Sequence, residues 1–190
     1  IISFFQMKKT GGGLMRINKK LYSVTLASVA LILFLILVPS AASAAPLTLT
    51  ETQITTSGAA SNPNIYDGKI VWEDDGGSNS NIYMYDLSTK KETKITTDDY
   101  GHYNPAIYDN KIVYGWVSNT EPDYGIEVYD LSTNKNIWSS WLYETYGYFY
   151  PAIYGSRIVW DGNGIWMHDL SDDTETQISS KYGSNPAIYE

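Results

Sequence analysis

The stretch "NPNIYDGKIVW", Asn62 to Trp72, decides the fold because it returns. Near-copies start at Asn104 ("NPAIYDNKIVY") and Tyr150 ("YPAIYGSRIVW"), and a shorter one, "NPAIYE", runs from Asn185 to Glu190. In each copy an Ile-Tyr pair is followed by a two-residue turn, Asp67-Gly68, Asp109-Asn110 or Gly155-Ser156. Such residues supply the positive φ that a tight β-hairpin needs. The apolar runs "KIVW", "KIVY" and "RIVW" then read as the returning strand. From the motif proline to the aromatic that closes this strand is nine residues every time (Pro63 to Trp72, Pro105 to Tyr114, Pro151 to Trp160), so the hairpin has a fixed length.

Two more strand-like runs complete each unit. The third is "NIYMYDL" from Asn81, "GIEVYDL" from Gly125 or "GIWMHDL" from Gly164; the fourth is "TKITT", "KNIWS" or "TQISS". Four short strands joined by turns, at a period of about 42 residues, predict the blade of a β-propeller. Along the third run both alternating faces are apolar or aromatic, which fits a sheet stacked between two neighbours better than a sheet with one wet face. Glu127 is the exception and is expected to reach an edge or a water.

The predicted fold class is therefore all-β: a β-propeller of four-stranded antiparallel blades over residues 46–190. About three blades are present (62–97, 104–139 and 150–180), forming an incomplete ring. "TETQITT" from Thr50 reads as a leading fourth strand, and residues 185–190 read as the first strand of a further blade cut off by a truncated reading frame. Open blade edges of this kind predict self-association.

The N-terminus carries a different signal. Arg16, Lys19 and Lys20 precede the uncharged run Leu21 to Val38, which is followed by Pro39 and the small-residue string "SAASAAP". That order is the one expected of a secretory signal peptide over residues 15–44, with Ala42-Ser43-Ala44 as the cleavage site. An uncleaved membrane anchor is the alternative, since the run approaches the ~20 residues that span a bilayer. Both place residue 46 onward outside the cytoplasm. Residues 1–14 read as upstream read-through before a natural start at Met15.

All 21 Asp and Glu follow residue 45, against eight Lys and Arg there, so the exported part carries a net charge of −13. Such a surface repels phosphate backbones and argues against a nucleic-acid partner. With no cysteine, disulfides, thiolate metal sites and thiol nucleophiles are excluded. The 17 Tyr and six Trp fit a folded, strand-rich chain.

Loop lengths point to one working face. Strand two is separated from strand three by ten, twelve and five residues (Trp72 to Ile82, Tyr114 to Ile126, Trp160 to Ile165), and the link into the next blade varies as well. In an up-and-down blade these two connections emerge on the same side, and variable insertions on one side mark a binding face. The candidate binding residues there are Asp74, Asp75, Asp98, Asp99, Tyr100, His102, Glu121, Asp123, Tyr124, Trp141, Tyr146 and Tyr148. Aromatic rings beside carboxylates and amides can stack on sugars or build a protein interface. The alternative is that these are ordinary turn residues whose rings pack on blade edges.

Catalytic chemistry is thin. Asp86, Asp130 and Asp169 recur in "DLS", where a carboxylate accepts backbone N–H bonds of the following turn, so they read as structural. "EDDGGSNSN" offers oxygen ligands that suit Ca²⁺ but lacks the fixed spacing of a calcium loop, and no cofactor is expected. His168 occupies a position held by Tyr85 and Tyr129 and reads as a packing residue; His102 reads as a lone loop histidine. No nucleophile elbow, zinc-helix or phosphate-cradle motif occurs.

The pattern "NPAIY-x-x-KIVW…IYMYDLST-x-x-ET-x-IT", over about residues 49–190, resembles the TolB-like, WD40-type β-propeller repeats of exported proteins, most closely those of archaeal cell-surface proteins. The resemblance implies a surface or adhesion module, a periplasmic scaffold, or a propeller attached to a peptidase or polysaccharide lyase. The expected function is a non-enzymatic, exported cell-surface module that binds surface proteins or glycans and meets a membrane only through its N-terminal segment. The alternative is the propeller of a larger extracytoplasmic enzyme or a TolB-like scaffold.

Overall fold

The computed structural model describes residues 50–120, 123–142 and 149–189. The segments read as upstream sequence (1–14) and signal peptide (15–44), together with Glu121, Tyr146 and Tyr148, lie outside the described residues. Among the described residues there is no helix, and hence none long and apolar enough to cross a membrane.

Each repeat folds into one four-stranded antiparallel sheet whose strands lie side by side in chain order. The first sheet holds β1 (Ala60–Tyr66), β2 (Lys69–Asp74), β3 (Asn81–Asp86) and β4 (Lys91–Lys94). The second holds β5 (Gly101–Tyr108), β6 (Lys111–Val117), β7 (Tyr124–Asp130) and β8 (Lys135–Trp141). The third holds β9 (Ala152–Tyr154), β10 (Arg157–Asp161), β11 (Ile165–Asp169) and β12 (Thr174–Ser179). Asp67 (φ +43°) and Gly68 (φ +73°) make the first hairpin a turn with two positive φ values, and Asp109 (+52°) and Gly155 (+61°) open the other two.

The sheets stack as blades, with β5 packed against β1, β2 and β3 on one side and β9 on the other. Val71, Ile82, Ile95, Ile107, Ile112 and Tyr114 fill the first interface. Ala106, Val113, Ile126, Val128, Phe149, Ile153, Ile158 and Trp160 fill the second. The middle blade is thus covered on both faces, as its apolar pattern requires. The outer blades have one covered face each, which leaves Ile65 62% exposed.

The Asn-Pro pair that opens the motif joins blades. Proline has no N–H to give the ladder, and the β1–β2 register slips between Ser61 and Asn64, as β5–β6 does between Tyr103 and Ala106. Asn62 (φ +48°) and Asn104 (φ +51°) take the left-handed conformation that asparagine tolerates better than most residues. Their side chains then reach sideways: Asn62 Nδ2 donates to Asn104 Oδ1 (2.8 Å), and Asn104 Nδ2 donates to the Phe149 carbonyl (2.8 Å). The buried Glu73 carboxylate accepts from Ser61 Oγ (2.8 Å), Asn62 Nδ2 (2.9 Å) and the Asn104 backbone N–H (2.6 Å). Beside this ladder Tyr66, Tyr108 and Tyr154 pack in series, with ring centroids 4.6 Å apart at both steps.

Two expectations are corrected. "TETQITT" is not a strand: residues 50–56 pair with no sheet among the described residues and hydrogen-bond locally through Gln53 and Thr55. Residues 185–189 likewise form no strand, although Asn185 keeps the left-handed φ of +52°. A strand needs a partner to satisfy its backbone, and neither segment is paired in a ladder among the described residues. The repeated Ile of the fourth run is buried only as Ile95. The register slips past Ile137 in β8 and Ile178 in β12, exposing both, and Trp138 packs inward in the second blade.

Candidate functional site

Antiparallel order separates the two ends of the blades. At one end lie the β1–β2, β5–β6 and β9–β10 hairpins with the "DLS" turns, and every blade finishes them alike. The Asp86 carboxylate accepts from Ser88 N (2.8 Å), Ser88 Oγ (2.6 Å) and Thr89 N (3.1 Å). Asp130 does the same with Ser132 and Thr133, and Asp169 with Ser171. Asp169 also accepts from Ser156 Oγ (2.6 Å) and Arg157 Nε (3.1 Å). These hydrogen bonds, hydroxyl donors foremost, hold all three carboxyls below the usual Asp range. Backbone bonds from Leu87 N to Gly68 O, Leu131 N to Asn110 O and Leu170 N to Ser156 O stitch turn to turn. The recurrent aspartates are structural.

The other end carries the variable loops, and here the blades differ. Asn79, in the β2–β3 loop, donates Nδ2 to the Asp99 carbonyl (2.7 Å), and Asn119, in the β6–β7 loop, donates to the same carbonyl and to Asn79 Oδ1 (3.1 Å). Three loops from two blades are thereby stapled at one oxygen. Next to the staple Tyr100 stacks on Trp116 (centroids 5.3 Å, planes 26° apart), and Trp116 meets Trp141 edge-on (5.0 Å, 80°). Trp116 is buried (3% exposed), whereas Tyr100 is 40% and Trp141 50% exposed.

A glycine places the buried ring. Gly125 pairs with Trp116 across β6 and β7, and a Cβ there would run into the Trp116 indole and the Ser140 carbonyl. The bare backbone is what lets the indole lie over β7 between its two neighbours. Neither Trp116 nor Asn119 nor Gly125 stands out on composition. Repeat comparison does mark Trp116, since the same position holds Asp74 in the first blade and Gly162 in the third.

The remaining sequence candidates are dispersed. Asp74 closes β2, its carboxylate accepting from Ser57 Oγ and Gly76 N, so it is spent on shaping the loop. Asp75 is exposed and donates its backbone N–H to the Ala59 carbonyl. Asp123 is half-buried and accepts the Ser118 N–H through its carbonyl (2.9 Å). Tyr124 opens β7, half-buried, edge-on to Phe149 at 6.5 Å.

His102 is a correction: it is no loop residue but part of β5, fully buried and edge-on to Tyr114 at 5.4 Å. Its Nε2 lies 3.3 Å from Asp98 Oδ1, within ion-pair range, yet neither ring nitrogen has an aligned hydrogen-bond partner. Burial pushes its pKa down, opposed by the Asp98 charge. Glu127 corrects a second expectation. Instead of reaching an edge, its carboxylate lies 3.1 Å from the Tyr114 hydroxyl and accepts from Asn136 Nδ2 (3.0 Å). Burial raises both the Tyr114 and the Glu127 pKa. His168 packs as expected, 3% exposed and stacked on Trp138 at 4.2 Å. Among the described residues no three His, Asp or Glu side chains converge as metal ligands would.

No protein-family model and no curated protein sequence matches the chain. Similar solved structures include TolB from Acinetobacter baumannii, at 17% identity and a TM-score of 0.49, over 63% of this chain and 32% of that one. They also include the β-propeller domain of the Trilobed protease from Pyrococcus furiosus (16%, 0.50, 62% and 41%) and an acylaminoacyl peptidase (13%, 0.50, 63% and 25%). At such identities the likeness concerns fold alone. The three stacked sheets are blades of a β-propeller that do not close a ring. The chain spans between a quarter and about two-fifths of the length of these structures.

Proposed function

We propose that residues 46–190 are a non-catalytic interaction module, exported to the cell surface, that binds a surface protein or glycan through its loop end. One observation carries the reading. The loop end leaves two aromatic rings, Tyr100 and Trp141, half in water on a buried third, while the turn end is closed by the same carboxylate turn in every blade. Large aromatic side chains held rigid and partly exposed are the usual material of recognition surfaces. The order of residues 15–44 supports export. The pairing of Glu127 with Tyr114 and Asn136, and the burial of His102, support a binding role over a catalytic one.

The test uses labelled purified protein and cell envelopes of the producing organism. The Tyr100→Ala/Trp141→Ala double variant is expected to lose envelope binding. Lys90→Gly/Asp109→Gly, at two positive-φ positions of the turn end where glycine fits, is expected to keep it. Equal behaviour of the two variants rejects the loop end as the working surface. Export is checked separately by sequencing the mature N-terminus, expected at Ala45.

A second reading makes the module the propeller of a larger extracytoplasmic peptidase or polysaccharide lyase, or a TolB-like scaffold. It draws on the company the fold keeps, which includes propellers of a protease and a peptidase. Under it, catalysis belongs to residues outside 50–189. Peptidase or lyase activity of the full-length gene product, lost on changing residues outside the blades, would select it.

A further inference from the structure

We propose that Tyr100 and Trp141, set by Trp116, form a binding site for an uncharged pyranose glycan. The inference rests on the loop-end reading given above and names its ligand class.

The ring geometry comes first. Tyr100 lies 26° from the Trp116 plane and Trp141 lies 80° from it, so the two exposed rings are at least 54° apart. They are not one flat patch. A flat apolar surface of a protein partner could cover only one of them at a time, whereas sugar units present several faces at an angle to each other. The C–H face of a pyranose carries partial positive charge and packs on the electron-rich face of an aromatic ring. A half-exposed indole leaves roughly 100 Å² for that contact.

The polar surroundings agree. A pyranose that stacks through its C–H face turns its hydroxyls outward around the ring edge, where they need acceptors. The Asp99 carbonyl is consumed by the Asn79 and Asn119 staple, but its exposed carboxylate makes no hydrogen bond among the described residues. Charge then narrows the class. Residues 97–103 and 115–125 contain no Lys or Arg, and they include Asp98, Asp99 and Asp123. Uronates, sulfated sugars and phosphate-bearing glycans are repelled from such a rim, and neutral hexoses and N-acetylhexosamines are not. The site is also built in advance: the staple fixes the loop that bears Tyr100, and Gly125 fixes the ring beneath it, so little ordering is left for binding to impose.

The test applies the purified full chain to a glycan array of neutral hexose and N-acetylhexosamine oligosaccharides alongside polygalacturonate and heparin fragments. Titration of the tightest binder is then followed by tryptophan fluorescence. Retention of neutral glycans only is expected. Tyr100→Ala and Trp141→Ala should each weaken binding about tenfold, the loss of one stacked ring, with Trp141→Phe much closer to the parent. Thermal melts show whether each variant is folded. Binding unaffected by either alanine, or confined to the anionic glycans, overturns the proposal. Persistent envelope binding without retention of any neutral glycan assigns the loop end to a protein partner: the glycan inference then falls while the interaction-module reading stands. Absence of both envelope and glycan binding removes both.

Discussion

Asn104 is where the blades are most directly tied together, and its replacement separates two sources of stability. Its side chain accepts from Asn62 and donates to the Phe149 carbonyl, both at 2.8 Å, in a residue only 8% exposed and held at φ +51°. In Asn104→Gly both side-chain bonds vanish while the left-handed backbone stays accessible. At about 1 kcal/mol net for each bond, plus roughly 0.5 kcal/mol for glycine's extra freedom when unfolded, the cost is about 2–3 kcal/mol. Asn104→Ala loses the same bonds and adds the left-handed penalty of about 1–2 kcal/mol, for a total near 3–4 kcal/mol. Asn62→Gly removes the same bond to Asn104 and one to the buried Glu73 carboxylate, so a cost of about 2–3 kcal/mol is expected there as well. Urea unfolding of the chain freed of its first 45 residues measures all three, with unchanged m-values required for the comparison. Equal losses for Asn104→Gly and Asn104→Ala would refute the role of the backbone conformation. An Asn104→Gly protein as stable as the parent would refute the inter-blade ladder.

Three further outcomes follow from other parts of the molecule. Gly125→Ala places a methyl group against the Trp116 indole and should cost about 1–3 kcal/mol, with a changed near-ultraviolet circular dichroism spectrum as Tyr100, Trp116 and Trp141 rearrange; an unchanged spectrum would mean that the glycine does not set the ring. Asp169→Asn should lower the melting temperature at pH 7. Because the folded-state pKa of Asp169 is depressed, its contribution is full above the ordinary Asp value near ~4 and is lost as pH falls toward the folded value, so the gap between parent and variant should close in acid. A gap constant from neutral pH to about 2 would contradict that linkage. Ile65→Lys, on the open face of the first blade, should reduce self-association in sedimentation velocity without lowering the melting temperature; unchanged association would place the contact elsewhere.

The blades were legible because they depend on local rules that repeat. Period-2 apolar runs, fixed hairpin length and turn residues suited to positive φ all agree three times over, so the order of strand pairing followed from spacing, whereas the register slips past Ile137 and Ile178 did not. The ends were less legible: "TETQITT" has the letters of a strand, but a strand exists only beside a partner, and pattern says nothing of which partner is present. The loop end was half legible. Its side of the molecule could be read from unequal loop lengths, and Tyr100 and Trp141 were found. His102 was misplaced because β5 extends through Gly101, three residues before the motif begins, so a residue read as loop lies inside the strand. Trp116 was passed over because an aromatic at the end of a strand looks like core until it is set against Asp74 and Gly162 in the sibling blades.

That last comparison bears on how a repeat protein acquires a site. Residues kept alike across the three blades serve the frame: the "DLS" aspartate closes the same turn in each, and the tyrosines of the Ile-Tyr pairs pack in series from blade to blade; a change there disturbs one turn or interface and gains no new chemistry. Positions that differ between blades are free of that duty. Trp116 and Gly125 form one such pair across β6 and β7, and each needs the other, since the indole can lie flat only over a residue without a Cβ. The corresponding pair in the first blade, Asp74 and Asn81, is polar and shapes a turn. A single paired substitution at a strand end therefore converts a turn cap into an aromatic floor while the ladder beneath is left intact. If so, moving the pair, as Asp74→Trp with Asn81→Gly, should bury a new indole at the first blade's loop end at little cost in melting temperature. The added tryptophan should show the blue-shifted, quencher-shielded fluorescence of a buried ring; emission of a solvent-exposed indole would show that the floor depends on more of its surroundings than this pair.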